Sequence, residues 1–133
     1  MPAVLVVNGE QSQFAQIQAI LAPAGYGAAW SKNAAAAVRL AHRTPPALIL
    51  VDSATPCVDA AEAILLLRQD SCTAHVPLVL LCDRTRAGLA DGLSTDADMV
   101  LEKPVDPVEL LTVVGGLLAL PRRGERPHYD GAQ

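Results

Sequence analysis

Four apolar runs in this chain each end on a group that can do chemistry. The run Ala47–Val51 stops at a carboxylate, Asp52. The run Ala3–Val7 stops at Asn8, Gly9 and Glu10, the run beginning at Val76 stops at Cys82 and Asp83, and "DMVLE" stops at Lys103 followed by Pro104. A carboxylate at such an edge serves as a nucleophile, a metal ligand or a loop cap, and a nearby ammonium neutralises the charge that collects there. Residue types alone leave these roles open for Asp52 and Lys103.

The elements that must position these groups follow from periodicity. The strand-like runs alternate with helix-like ones. "SQFAQIQAILAPAG" puts Phe14, Ile17, Ile20 and Leu21 on one helical face, ended by Gly25 and Gly27. "YGAAW" is a weaker strand, and the alanine-rich "SKNAAAAVRLAHRT" a helix capped by Ser31 or Asn33 and stopped by Pro45 and Pro46. "DAAEAILLLRQD" is a third helix, and "TRAGLADGLST" a poorer fourth, weakened by Gly88 and Gly92. "DPVELLTVVGGLLAL" is a fifth, with Asp106 as cap and Pro107 at its first position. Continuous apolar strands, each followed by a helix, predict a parallel sheet covered on both faces, a doubly wound α/β domain. In such sheets ligands gather at the carboxyl ends of the strands, where the short list above lies.

Composition narrows the function classes. A chain of 133 residues predicts one domain. The net charge of −4 offers no basic field for nucleic acid or anionic lipid, and no apolar run is long enough to span a membrane. Cys57, Cys72 and Cys82 are odd in number and lack metal-ligand spacing, and the N-terminus has no leader pattern, so reduced thiols in the cytoplasm are expected. Cys82 reads as a small buried hydrophobe and Cys57 as the more oxidisable, in a loop. His42 and His75 read as solvated side chains. The domain is expected to span residues 1–120, with 121–133 a flexible tail for lack of apolar periodicity.

Three pieces taken together, "LILVDSATP" with Pro56 four residues after Asp52, "TAHVPLVLL", and "VLEKP" followed by "DPVELL", resemble the receiver domain of bacterial two-component response regulators, of the chemotaxis-receiver type. The resemblance covers Val4 to about Leu118. It implies a flavodoxin-like (βα)5 three-layer sandwich with strand order 2-1-3-4-5. It also implies that Asp52 is the phosphoacceptor for a histidine kinase, that Lys103 approaches Asp52 and then the phosphoryl oxygens, and that Pro104 follows a cis peptide bond. The backbone carbonyl of Ala54 would be a metal ligand.

The pattern departs from the family in two places. Where receivers carry two adjacent acids that hold Mg²⁺, this chain has Asn8 and Gly9, so Mg²⁺ is expected to bind weakly or not at all. Glu10, one residue on, is not a clear replacement. The switch positions, Ser or Thr ending the fourth strand and an aromatic ring on the fifth, are Cys82 and Val100, so the usual relay to the surface is expected to be broken. Asp83 borders the site with either sign of effect.

The expected function is therefore a stand-alone, atypical receiver. It would act as a protein-interaction module in two-component signalling, with impaired or absent phosphorylation and no enzymatic activity beyond self-catalysed phosphoryl transfer to Asp52. One alternative is a working single-domain receiver using Asp52, Lys103 and Thr55. Another is a flavodoxin-like enzyme or nucleotide binder, opposed by the absence of a Gly-rich phosphate loop in "VNGEQSQ". Expected partners are a histidine kinase or another signalling protein, and a second copy through the face of the fourth helix, fifth strand and fifth helix. That face includes Leu89, Leu93, Val100, Leu110 and Val114, most of which read as core.

Overall fold

The computed structural model describes residues 3–52, 57–83 and 97–120, without the side chains of 57–60 and 83. Five parallel strands, β1 (Ala3–Val7), β2 (Gly27–Ser31), β3 (Leu48–Asp52), β4 (Leu78–Asp83) and β5 (Met99–Lys103), form one sheet in the order β2-β1-β3-β4-β5. This is the expected doubly wound sheet with strand order 2-1-3-4-5. The helices are α1 (Gln11–Leu21), α2 (Ala34–Arg43), α3 (Cys57–Gln69) and a C-terminal helix (Pro107–Leu118). The fourth helix expected from "TRAGLADGLST", the tail 121–133, and the residues Ala54, Thr55, Pro56, Leu89 and Leu93 lie outside the described residues.

Side-chain alternation along the strands divides the interior into two layers. Val4, Val6, Leu48, Leu50, Val79, Leu81 and Leu101 pack with Ile17 and Leu21 of α1 and with Leu110, Val114 and Leu117 of the C-terminal helix. Leu5, Val7, Ile49, Val51, Leu78, Leu80 and Cys82 pack with Ala37 and Ala41 of α2 and with Ile64 and Leu67 of α3. β3 is buried at every position, because strands lie on both sides of it and helices above and below. Leu110 and Val114 are core, as read from the sequence, and Val100 packs partly buried against the α2–α3 layer.

Local chemistry sets the element ends. Asn33, one of the two expected caps of α2, accepts a hydrogen bond from the Ala36 N–H at 2.8 Å. Asp106 accepts from the Glu109 N–H at 3.1 Å, with Pro107 opening the helix. Gly25 ends the short turn after α1 in the left-handed conformation, φ 91°, which a side chain would resist. In the C-terminal helix, a Cβ built on Gly115 would lie 3.5 Å from the Tyr26 hydroxyl, an ordinary van der Waals contact. Three expectations are corrected. Cys57 opens α3 instead of lying in a loop, since the helix begins earlier than its apolar pattern. β4 starts at Leu78, not Val76, because Pro77 has no N–H to give the ladder. Cys82 is disulfide-bonded, while Cys72 carries a free thiol.

The connection from α3 to β4 is held by Arg68. One guanidinium nitrogen donates to the carbonyls of Val76 at 2.7 Å and Ala74 at 3.2 Å, and the other to Asp98 Oδ2 at 3.1 Å. Asp98 also accepts from the Leu78 N–H at 2.8 Å, so one carboxylate ties the start of β4 to the residue before β5. Both side chains are largely buried. Arg68→Met should therefore remove the guanidinium that joins Asp98 to the carbonyls of Ala74 and Val76 and lower unfolding stability by about 3 kcal/mol in urea titrations.

Candidate functional site

Alternation also places the polar residues. Asp52 has the parity of Leu48 and Leu50, Asn8 that of Val4 and Val6, and Lys103 that of Leu101, so all three face the α1 and C-terminal helix side. Register brings them to one end: Val7 pairs with Val51, Asp52 with Leu81 and Asp83 with Lys103. Asn8 is thus beside Asp52, whereas Lys103 reaches it from two strands away, across β4, a span of about 10 Å between strand axes.

The Asp52 carboxylate is 8 % exposed and held at both oxygens. Oδ1 forms an ion pair with Lys103 Nζ. Oδ2 accepts from Asn8 Nδ2 at 2.6 Å. Asn8 is 2 % exposed, and every polar group on it is used. Its Oδ1 accepts from the Glu10 N–H at 2.6 Å, its Nδ2 also donates to Gln13 Oε1 at 3.3 Å, its N–H donates to Ser31 O at 3.0 Å, and its carbonyl accepts from Trp30 Nε1 at 2.8 Å. This network fixes the amide's orientation: turning it over would set an oxygen against the carboxylate and a nitrogen against an N–H. The Lys103–Pro104 peptide bond is cis. A cleft of about 330 Å³ opens over the site, lined by Gln13, Gln16, Ile17, Ile20, Asp52, Lys103, Pro104 and Val105.

Of the residues singled out in the sequence, Asn8, Asp52 and Lys103 come together. Gly9 and Glu10 are exposed beside them, and the Glu10 side chain makes no capping bond to α1. Cys82 is buried on the opposite layer, with Leu78 and Leu80, and Val100 has the same parity relation to Leu101, facing away from Asp52. The Ala54 carbonyl and the Asp83 side chain lie outside the described residues.

Magnesium needs hard, preferably anionic oxygens in a near-octahedral shell. The described residues do not fit it. Asp52 is the one buried carboxylate among the three grouped side chains, and its oxygens are taken by an ammonium and an amide N–H. The Asn8 side-chain oxygen is committed to a backbone N–H, and Gly9 has no side-chain ligand to give.

A second cluster was not legible in the sequence. His42, in the last turn of α2, stands between Asp70 and Cys72, which follow α3. Its Nε2 is 3.1 Å from Asp70 Oδ2, and its Nδ1 is 3.3 Å from Cys72 Sγ. The Cys72 N–H donates to Asp70 Oδ1 at 2.8 Å, and this bond, with the neighbouring His42, holds the Asp70 carboxyl below its ordinary 3.8. His42 is half exposed, as expected of a solvated side chain, but it is partnered. The pairs are 28 and 30 residues apart, so no local spacing signals them.

A five-stranded parallel sheet in this order, with a buried carboxylate ending its central strand and a lysine reaching it from the edge strand, defines a receiver-type α/β domain. The family model for the response regulator receiver domain matches residues 4–115, and the chain belongs to that family. It is 33% identical over 119 residues to response regulator Rre1 of Synechocystis, covering 88% of this chain and 52% of Rre1. It is 25% identical to PilH of Pseudomonas aeruginosa, covering 90% of this chain and 99% of PilH. The chain thus spans about half of Rre1, and it spans a quarter of the response regulator PleD of Caulobacter vibrioides. Among solved structures, the receiver domain of sensor histidine kinase PA1611 from P. aeruginosa, with a magnesium ion coordinated in its active site cleft, superposes with TM-score 0.77. That match is 23% identical and covers 90% of this chain and 98% of the other. No helix among the described residues is long and apolar enough to cross a membrane.

The buried ion pair yields a test. Lys103→Met leaves the Asp52 charge buried against Asn8 alone and should lower stability by about 3 kcal/mol, and Asp52→Asn in the same chain should recover most of that loss. Urea denaturation of the two single variants and the double variant measures the coupling.

Proposed function

We propose that this receiver works as a protein-interaction module in two-component signalling, with phosphorylation of Asp52 impaired. The observation that carries the reading is the 2.6 Å hydrogen bond from Asn8 Nδ2 to Asp52 Oδ2. In place of an acid that would bind a cation with Asp52, the chain has an amide that donates to Asp52 directly. Together with Lys103 it neutralises and orients the carboxylate without a metal, which favours one fixed arrangement of the strand ends. Mg²⁺ affinity is accordingly weak or absent.

The partners are of the kinds receivers meet, a histidine kinase, another signalling protein, or a second copy of the chain. Val108 on the C-terminal helix is 71 % exposed and Met99 on the edge strand β5 is 41 % exposed. Among the described residues, these apolar side chains, and not the buried Leu110 and Val114, are exposed on that side.

A second reading rests on a different observation. The Asp52 and Lys103 pair lines an open cleft, the arrangement in which a carboxylate oxygen can attack a phosphohistidine phosphorus while the P–N bond breaks and the ammonium meets the transferred charge. Amide NMR spectra with rising Mg²⁺ and then beryllofluoride, a phosphoryl mimic, separate the two. An interaction module shows no saturable shifts at Asn8, Asp52 or Lys103. Saturable shifts that vanish in Asp52→Asn would establish the working receiver instead.

The same measurement tests the physical cause. A Cβ built on Gly9 meets nothing within 4 Å, so Gly9→Asp has room; combined with Asn8→Asp, which replaces the donor to Asp52 by a second buried carboxylate, it should lower metal-free stability and give a Mg²⁺ response at least tenfold stronger than the parent's.

A further inference from the structure

We propose that His42, Asp70 and Cys72 form a binding site for a divalent cation of the zinc class, completed by solvent. One donor atom from each residue, an imidazole nitrogen, a carboxylate oxygen and a thiol sulfur, lies within 4.8 Å of the others. Zn–S and Zn–N bonds of about 2.3 and 2.0 Å at a tetrahedral angle put sulfur and nitrogen about 3.5 Å apart. The Cys72 Sγ to His42 Nδ1 separation, 3.3 Å, is close to that edge. The donor set also selects the metal. A thiolate with an imidazole suits a borderline cation such as Zn²⁺ or Co²⁺, whereas Mg²⁺ and Ca²⁺ prefer oxygen alone.

The scaffold is rigid where it counts. Asp70 and Cys72 lie in one turn, in which the Cys72 N–H meets Asp70 Oδ1 at 2.8 Å and the Ala74 N–H meets the Asp70 carbonyl at 2.8 Å. Arg68 holds the carbonyls of Ala74 and Val76, and the Thr73 hydroxyl donates to the Leu67 carbonyl. Asp70 and Cys72 are therefore held in one turn by bonds other than those to a metal, and a cation seated at the Sγ–Nδ1 edge takes Asp70, whose Oδ2 now faces His42 Nε2, once that carboxylate turns toward it. Half-exposed His42 leaves an entry path and room for water in the fourth position. Binding exchanges the Cys72 S–H proton for the metal, releases that proton to solvent, and ties the end of α2 to the end of α3.

This site is separate from Asp52. α3 begins near the carboxyl end of β3 and runs 13 residues, about 20 Å, before reaching the cluster. A cation there would act on the α2–α3 side of the receiver without entering the phosphoacceptor cleft.

The test is titration of the metal-free full chain with Co²⁺. A thiolate-to-cobalt charge-transfer band should saturate at one equivalent and disappear when Zn²⁺ is added. Cys72→Ser and His42→Ala should abolish it, Asp70→Asn should weaken binding at least tenfold, and His75→Ala, which alters an exposed histidine in the same turn, should leave it intact. In the unaltered chain Zn²⁺ should slow alkylation of Cys72 by iodoacetamide at least tenfold, as mapped by peptide mass spectrometry. Absence of a one-equivalent band, a band that survives Cys72→Ser, or an unchanged alkylation rate would overturn the proposal.

Discussion

A carboxylate buried at the end of a central strand is costly unless its charge is met, and in this protein Lys103 and Asn8 meet it. The cost explains why both partners must be where they are. Lys103 has to come from the edge strand, two strands away, and so depends on β4 and β5 being in register. Asn8 has to come from β1, and so depends on the pairing of Val7 with Val51. A slip of one residue in any of these ladders would send a polar side chain into the opposite apolar layer and leave Asp52 alone. The site thus specifies the sheet as much as the sheet positions the site.

The same parity separates two kinds of work. The layer of α1 and the C-terminal helix ends in the polar cleft, whereas the layer of α2 and α3 carries the disulfide-bonded Cys82 at one end and the His42, Asp70 and Cys72 cluster at the other. Groups on one face are shielded from those on the other by a β3 strand with no exposed residue. Chemistry at one layer therefore reaches the other through movement of strands, not through contact of side chains.

Much of this was legible in the sequence. Unbroken apolar runs such as "ALILV" and "VPLVLL", separated by amphipathic helices, require a parallel sheet covered on both sides. The strand-end rule then puts Asn8, Asp52 and Lys103 on a short list with Gly9, Glu10, Cys82 and Asp83. Cap residues are equally readable, since Asp106 and Pro107 act within one turn. What was not legible depends on three-dimensional register. Asn8 could be recognised as a missing acid, but not as a donor bonded to Asp52. Nothing in the local sequence singles out Arg68, although it organises the turn into β4. His42 and Cys72, far apart in sequence, meet because α2 and α3 pack side by side. Helix starts and strand starts moved by a few residues where proline or an early helical turn outweighed hydrophobic pattern.

The chain contains one tryptophan, and its indole N–H is bonded at 2.8 Å to the backbone carbonyl of Asn8, the residue that holds Asp52. The edge strand β2 is thereby wired to the polar cleft by a group that fluoresces. A displacement of Asn8 alters the hydrogen bonding of that indole and hence the colour of its emission. The protein carries its own optical gauge of whether the Asp52 carboxylate is still gripped.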